Sequence, residues 1–134
     1  MKEVKNDGKL LGIYGNIDKF PKGLGFFGTK EDFIQIMKFR YDAGKVLRSH
    51  MHIPRERVVE KTQEILIVFK GKCSIEVFDS VKTKVDSFVL NAGEFYIAYH
   101  GGFGGEVLTD DTIMMEIKPG PYNVETDDED RILL

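Results

Sequence analysis

Residues 64–79 read Glu64-Ile65-Leu66-Ile67-Val68-Phe69-Lys70-Gly71-Lys72-Cys73-Ser74-Ile75-Glu76-Val77-Phe78-Asp79. Between Glu64 and Lys70 the side chains are apolar at odd and even positions alike. Successive side chains of a strand point to opposite faces, so this run predicts a strand covered on both sides. Gly71 ends it. Residues 72–79 and 84–90 read as a hairpin across a polar turn at 80–82. Further strands are predicted at 10–14, 24–28, 33–40, 95–99 and 112–118, and at 45–52 with less clean alternation. Helical periodicity is weak throughout. The stretch 31–39 has the aromatic and β-branched content of a strand. Short strands punctuated by 14 glycines predict an all-β sandwich or barrel.

The chain has 134 residues, one domain's worth. Its net charge of −3 argues against nucleic acid, which calls for a basic face. Cys73 is the single cysteine. A lone thiol excludes an internal disulfide framework and points to a cytoplasmic protein. No apolar run approaches the ~18 residues of a membrane helix, and the polar start Met1–Gly8 lacks the apolar region of a secretory signal. No membrane partner is expected. Glu125–Asp130 is nearly all acidic, so the end of the chain is expected to be a loose tail whose last residues dock onto the barrel or a partner.

Candidate chemistry begins at His50 and His52. One residue separates them, so on a strand both imidazoles face one way, in a chelating geometry for a divalent metal. Glu64 stands at the mouth of an apolar strand. A carboxylate there needs a metal or an imidazole as partner, because burying it alone costs several kcal/mol. Arg48 shares the alternation of His50 and His52 and is expected in the same cavity, where it would pair with a ligand carboxylate or phosphate. Gln63 should face away from Glu64. The run 101–105 lacks the Lys-Ser/Thr of a phosphate loop and reads as a flexible hairpin.

Gly44, His50 and His52, followed by Glu64 and Gly71, resemble the first motif of the cupin superfamily. Leu90-Asn91-Ala92-Gly93-Glu94 resembles the glycine turn that opens the second. The likeness covers 33–118. It implies a single cupin-type antiparallel β-barrel (a double-stranded β-helix or jelly roll) over residues 1–134. Residues 1–30 would be an N-terminal arm with short strands, 33–118 the barrel core and 123–134 the acidic tail. In metal-binding cupins two histidines and a glutamate from the first motif join one histidine from the second. Two departures stand out. Eleven residues lie between His52 and Glu64, where the family pattern has three or four, and this insert reads as a polar loop over the mouth. The second-motif histidine is expected near Phe103 or Gly104, yet His100 sits about four residues early. Three arrangements stay open: His100 is the fourth metal ligand; His50, His52 and Glu64 hold the metal with water; or there is no metal. Zn, Mn, Fe and Ni all suit such donors.

The ending Lys118-Pro119-Gly120-Pro121-Tyr122 is similar to the close of small cupins that accompany surface-polysaccharide and nucleotide-sugar genes, which turns the expected ligand toward a sugar or nucleotide-sugar. Tyr96, Tyr99, His100 and Phe103 are candidates to line its site. Three functions follow: a metal-dependent enzyme; a metal-free epimerase or ketoisomerase with His50 or His52 as base, Glu64 orienting it and Tyr99 returning the proton; or a non-catalytic module binding a small sugar or carboxylate. The second face of 64–70, with Ile65, Ile67 and Phe69, needs a cover. The N-terminal segment or a second subunit would supply it, and the family likeness implies a homodimer.

Overall fold

The computed structural model of the chain describes residues 1–29, 31–120 and 134. Among the described residues ten strands run in the order β1 Lys2–Asn6, β2 Lys9–Asn16, β3 Gly23–Phe27, β4 Ile36–Arg40, β5 Glu64–Lys70, β6 Lys72–Phe78, β7 Lys84–Asn91, β8 Glu94–Ala98, β9 Gly102–Gly104 and β10 Ile113–Ile117. A 3₁₀ turn, Ile17–Lys19, follows β2. All strand pairs are antiparallel. They form a five-stranded sheet in the order β1-β2-β8-β5-β10, a three-stranded sheet β7-β6-β9 and a β3-β4 ribbon.

The five-stranded sheet is the middle layer. Leu66 and Val68 of β5 and Tyr96 of β8 point one way, into a cluster with Cys73, Ile75, Val77 and Leu90 of the three-stranded sheet. Ile65 of β5 and Phe95 and Ile97 of β8 point the other way and pack with Phe27 of the ribbon. Strand β5 is apolar on both faces because both are roofed, as its sequence predicts. The ribbon, from the N-terminal part of the chain, covers Ile65 and Ile67. Phe69 stays exposed, as do Ile113, Met115 and Ile117 of the edge strand β10. Cys73 is a buried core residue, and burial pushes its thiol up from the ordinary value.

The chain switches sheets at sharp corners. β5 lies in the middle layer and β6 in the three-stranded sheet, with Gly71 alone between them. Its φ of 81° is in the left-handed region, and a Cβ there would run into the hydroxyls of Thr109 and Thr112. Tyr99, His100 and Gly101 make the corresponding corner from β8 to β9. Gly101 has φ 73°, and its missing side chain leaves room for the Phe78 carbonyl.

Two local expectations are corrected. Residues 101–105 are not a free hairpin, because Gly102–Gly104 pairs with β6. Residues 45–52 are not a strand. The whole stretch 41–63 lacks regular structure, and its side chains are exposed except Gln63. Pro54 brings no N–H to a ladder, and Lys45, Arg48, Arg55, Arg57 and Lys61 favour solvent. The acidic run 125–130 and Pro121-Tyr122 lie outside the described residues. Among the described residues no helix is long and apolar enough to cross a membrane.

The corner geometry sets an expectation for stability. Gly101→Ala should lose about 2 kcal/mol of unfolding free energy, combining left-handed strain with a collision against backbone. Urea denaturation measures this; a loss below about 0.5 kcal/mol would contradict the close approach of Phe78.

Candidate functional site

Strand alternation decides which polar groups meet. Glu64 shares its face with Leu66 and Val68, so its carboxylate looks between the two larger sheets. Gln63 turns the other way, as expected, and is 1% exposed. It is fully employed there. The Ile34 N–H donates to its Oε1 at 3.0 Å, and its Nε2 donates to Asp32 Oδ1 at 2.8 Å and to the Tyr99 carbonyl at 3.5 Å. Burial works against the Asp32 carboxylate. Hydrogen bonds from Thr29 and Gln63 and the charge of Lys61 nonetheless hold it below the ordinary value. Gln63 thus pins the entry to β5 and aims Glu64 at the opposite layer.

On that opposite side lies a cleft of about 610 Å³. Glu64 enters it from β5, His100 from the corner after β8, Phe103 from β9, and Glu116 with Lys118 from β10 and its end. Glu76, Thr62, Phe78, Ala98 and Leu134 also line it. Lys118 Nζ lies 3.1 Å from Glu116 Oε1 and 3.8 Å from Glu64 Oε1. Phe103 packs edge-on to Tyr96 with ring centres 5.3 Å apart, which holds its ring in place. Among the described lining residues Glu64 and Glu116 share the ammonium of Lys118, and Glu76 is paired with Lys84, whose Nζ lies 2.9 Å from its Oε1. With Lys61 beside His100, the charges around the cleft are close to balanced.

His100 has a distinctive neighbour. Lys61 Nζ, from the irregular segment, lies 3.1 Å from Nδ1 and 3.4 Å from Nε2 of the ring. Partial burial, then the charges of Lys61 and Lys9, lower its pKa from the ordinary 6.5, against a smaller opposing pull from Asp32. Burial and the two cations thus disfavour the imidazolium.

The other residues named from the sequence sit elsewhere. His50 and His52 are exposed on the irregular segment. Their ring centres are 5.0 Å apart, and His50 Nδ1 lies 2.9 Å from the Arg48 carbonyl oxygen. None of Arg48, His50 and His52 lines the cleft. Tyr99 belongs to the ribbon-side cluster with Phe27 and Ile97, one strand position out of phase with the cleft. Its hydroxyl is buried without a hydrogen-bond partner among the described residues. Burial, with the Asp32 carboxylate, pushes it up to about 12. Of the eight candidates, the structure brings together Glu64, His100 and Phe103 as lining residues of the cleft.

These positions bear on a metal. Among the described residues no group of three or more His, Cys, Asp or Glu side chains is arranged to hold one. The donor set of the family likeness is divided between a surface segment and the cleft, so the residues as placed do not fit a metal centre. Glu116 and Lys118 escaped the sequence reading. The signal for them was present: alternation from Met114 puts both on the face of β10 that looks at Glu64. Lys61 had no such signal, since its approach to His100 spans 39 residues through irregular chain.

Comparison with protein-family models, with curated proteins and with solved structures finds no match.

The Lys61–His100 contact makes a titration prediction. The nearby cation disfavours the imidazolium, so removing it must raise the pKa. In Lys61→Met the His100 ring should protonate at higher pH than in the unmodified chain. NMR titration of the ring C–H signals measures both midpoints; an unchanged His100 midpoint would remove Lys61 as the cause.

Proposed function

We propose that the two larger sheets are the halves of a cupin-like jelly roll, and that the cleft between them binds a small neutral sugar. The observation that carries the binding reading is the cleft itself: about 610 Å³ with Glu64, Glu116, Lys118 and His100 around the Phe103 ring. That volume falls in the usual range for small-molecule sites. Carboxylates accept hydrogen bonds from sugar hydroxyls, an ammonium donates to them, and a fixed aromatic ring meets the apolar C–H face of a pyranose.

The jelly-roll half of the proposal draws on the chain path. From β5 onward the strands pass between the two sheets at tight corners, and Gly71 and Gly93, the glycines of the two family motifs, both have positive φ. Lys118 is the one lysine or arginine among the described lining residues and is already paired with Glu116, so the lining offers no cluster of cations to a diphosphate, which favours a neutral sugar. Of the three functions considered, binding is the one that needs only residues the cleft already gathers. The proton-transfer scheme would require His50 or His52 beside Glu64, with Tyr99 turned through to the same layer.

Thermal unfolding against a panel tests this. Neutral monosaccharides such as glucose, galactose, mannose and rhamnose should raise the Tm in a concentration-dependent way. Nucleotide-diphosphate sugars should raise it less. Glu64→Gln and Phe103→Ala should each weaken binding of the best monosaccharide about tenfold or more, the worth of one charge-assisted hydrogen bond or one stacked ring. A panel in which no sugar raises the Tm, or only the diphosphates do, would overturn the reading.

A further inference from the structure

The β3-β4 ribbon has two faces, and only one is covered. Phe27 and Ile36 pair across the ribbon and pack down on the middle layer. On the opposite face Leu24 pairs with Phe39, and Phe26 with Met37. These four side chains are between 50% and 64% exposed. The ribbon roofs β5 and so passes the demand for a cover outward. The segment that follows it has the same unmet demand. From 47 to 53 the chain alternates: Leu47, Met51 and Ile53 stand at odd positions, Arg48, His50 and His52 at even ones. Met51 is 95% and Ile53 87% exposed.

We propose that the open ribbon face and the segment 47–53 are the two halves of one interface between copies of this chain. In a twofold pair each copy lays Leu47, Met51 and Ile53 over Leu24, Phe26, Met37 and Phe39 of the other copy. The interface does not depend on the cleft or on its ligand.

Area is the first support. A large side chain at such exposure shows on the order of 100 Å² to water, so the seven residues together present roughly 800 Å², which is about what each partner of a stable complex buries. A monomer rarely exposes so much apolar surface in one region. Composition is the second. Segments that stay unfolded are poor in apolar residues, whereas 46–59 also carries Val46, Val58 and Val59, all exposed. The segment is tied only near its ends, by Lys22 Nζ to Asp42 Oδ2 at 2.6 Å and by Lys61 Nζ to His100 Nδ1 at 3.1 Å. Among the described residues no hydrogen bond or ion pair joins 46–59 to a strand.

Reciprocity is the third support and selects a second copy as the occupant. Each chain carries both an uncovered face and an uncovered segment that matches it in period and polarity. A single twofold operation then covers all four surfaces. The alternation keeps Arg48, His50 and His52 on the solvent side of the contact, so no charge is buried without a partner. A strand-like pattern without a ladder in its own chain thus gains a surface to lie on.

Sedimentation velocity at micromolar concentration should give twice the 15.3 kDa of one chain. Met51→Asp and Phe26→Ser should each weaken association by about tenfold or more. Both positions are exposed in the single copy, and circular dichroism should show the strand content of each variant unchanged. The geometry is tested by mixing Met51→Cys chains with Met37→Cys chains and adding a short bis-maleimide; Cys73 is buried. The mixture should yield a crosslinked pair made of one chain of each kind. A mass of one chain at every concentration, or a dimer that both substitutions leave intact, would overturn the proposal. So would a link that forms only inside the doubly substituted chain, which would mean that the segment closes over its own ribbon.

Discussion

Double burial of strand β5 is the constraint on which the rest of the structure depends. A strand carrying Ile65, Leu66, Ile67 and Val68 in succession cannot leave either face wet without losing the transfer free energy of those side chains, about 1.5–3 kcal/mol each. One face therefore requires the three-stranded sheet and the other the β3-β4 ribbon. The single-residue corner at Gly71 follows from the same demand. It carries the chain out of the middle layer at once, so that β6 returns across the face that β5 has just exposed. Val68 and Val77, both 0% exposed, mark where the two layers close.

The same alternation sorts polar groups. Adjacent residues of one strand enter different layers, so Gln63 and Glu64 have opposite fates. Gln63 is sealed under the ribbon and satisfied by Ile34, Asp32 and Tyr99. Glu64 opens on the cleft and meets Lys118. Tyr99 and His100 separate in the same way at the end of β8. A one-residue slip in either strand would exchange these pairs, placing a carboxylate in the ribbon-side cluster at a cost of several kcal/mol. Register and site composition are in this sense one property.

Most of the fold was legible in the chain. Strands 64–70, 72–79, 84–90 and 95–99 were readable to within a residue or so of their ends, because each combines β-branched or aromatic content with a glycine or polar turn. The glycines at 71 and 93 were legible as corners for the same reason. The segment 45–52 misled, since His-x-His spacing has a shared face only if a strand carries it, and no neighbouring strand offers this segment a ladder. The site was legible in part. Glu64, His100 and Phe103 stand out by their place in the motif pattern, whereas Glu116 and Lys118 follow only from the alternation of β10.

By itself, then, the sequence determined the element type, the two-sided burial of β5 and the opposite facing of Gln63 and Glu64. These are local properties, set by side-chain period, turn residues and hydrophobicity over a few positions. Only the tertiary structure decided which of the three histidines reaches the cleft, and that a lysine 39 residues away meets it. Such contacts depend on where an irregular segment comes to rest against a distant corner. No local periodicity encodes that, because the segment has no ladder to hold it in register.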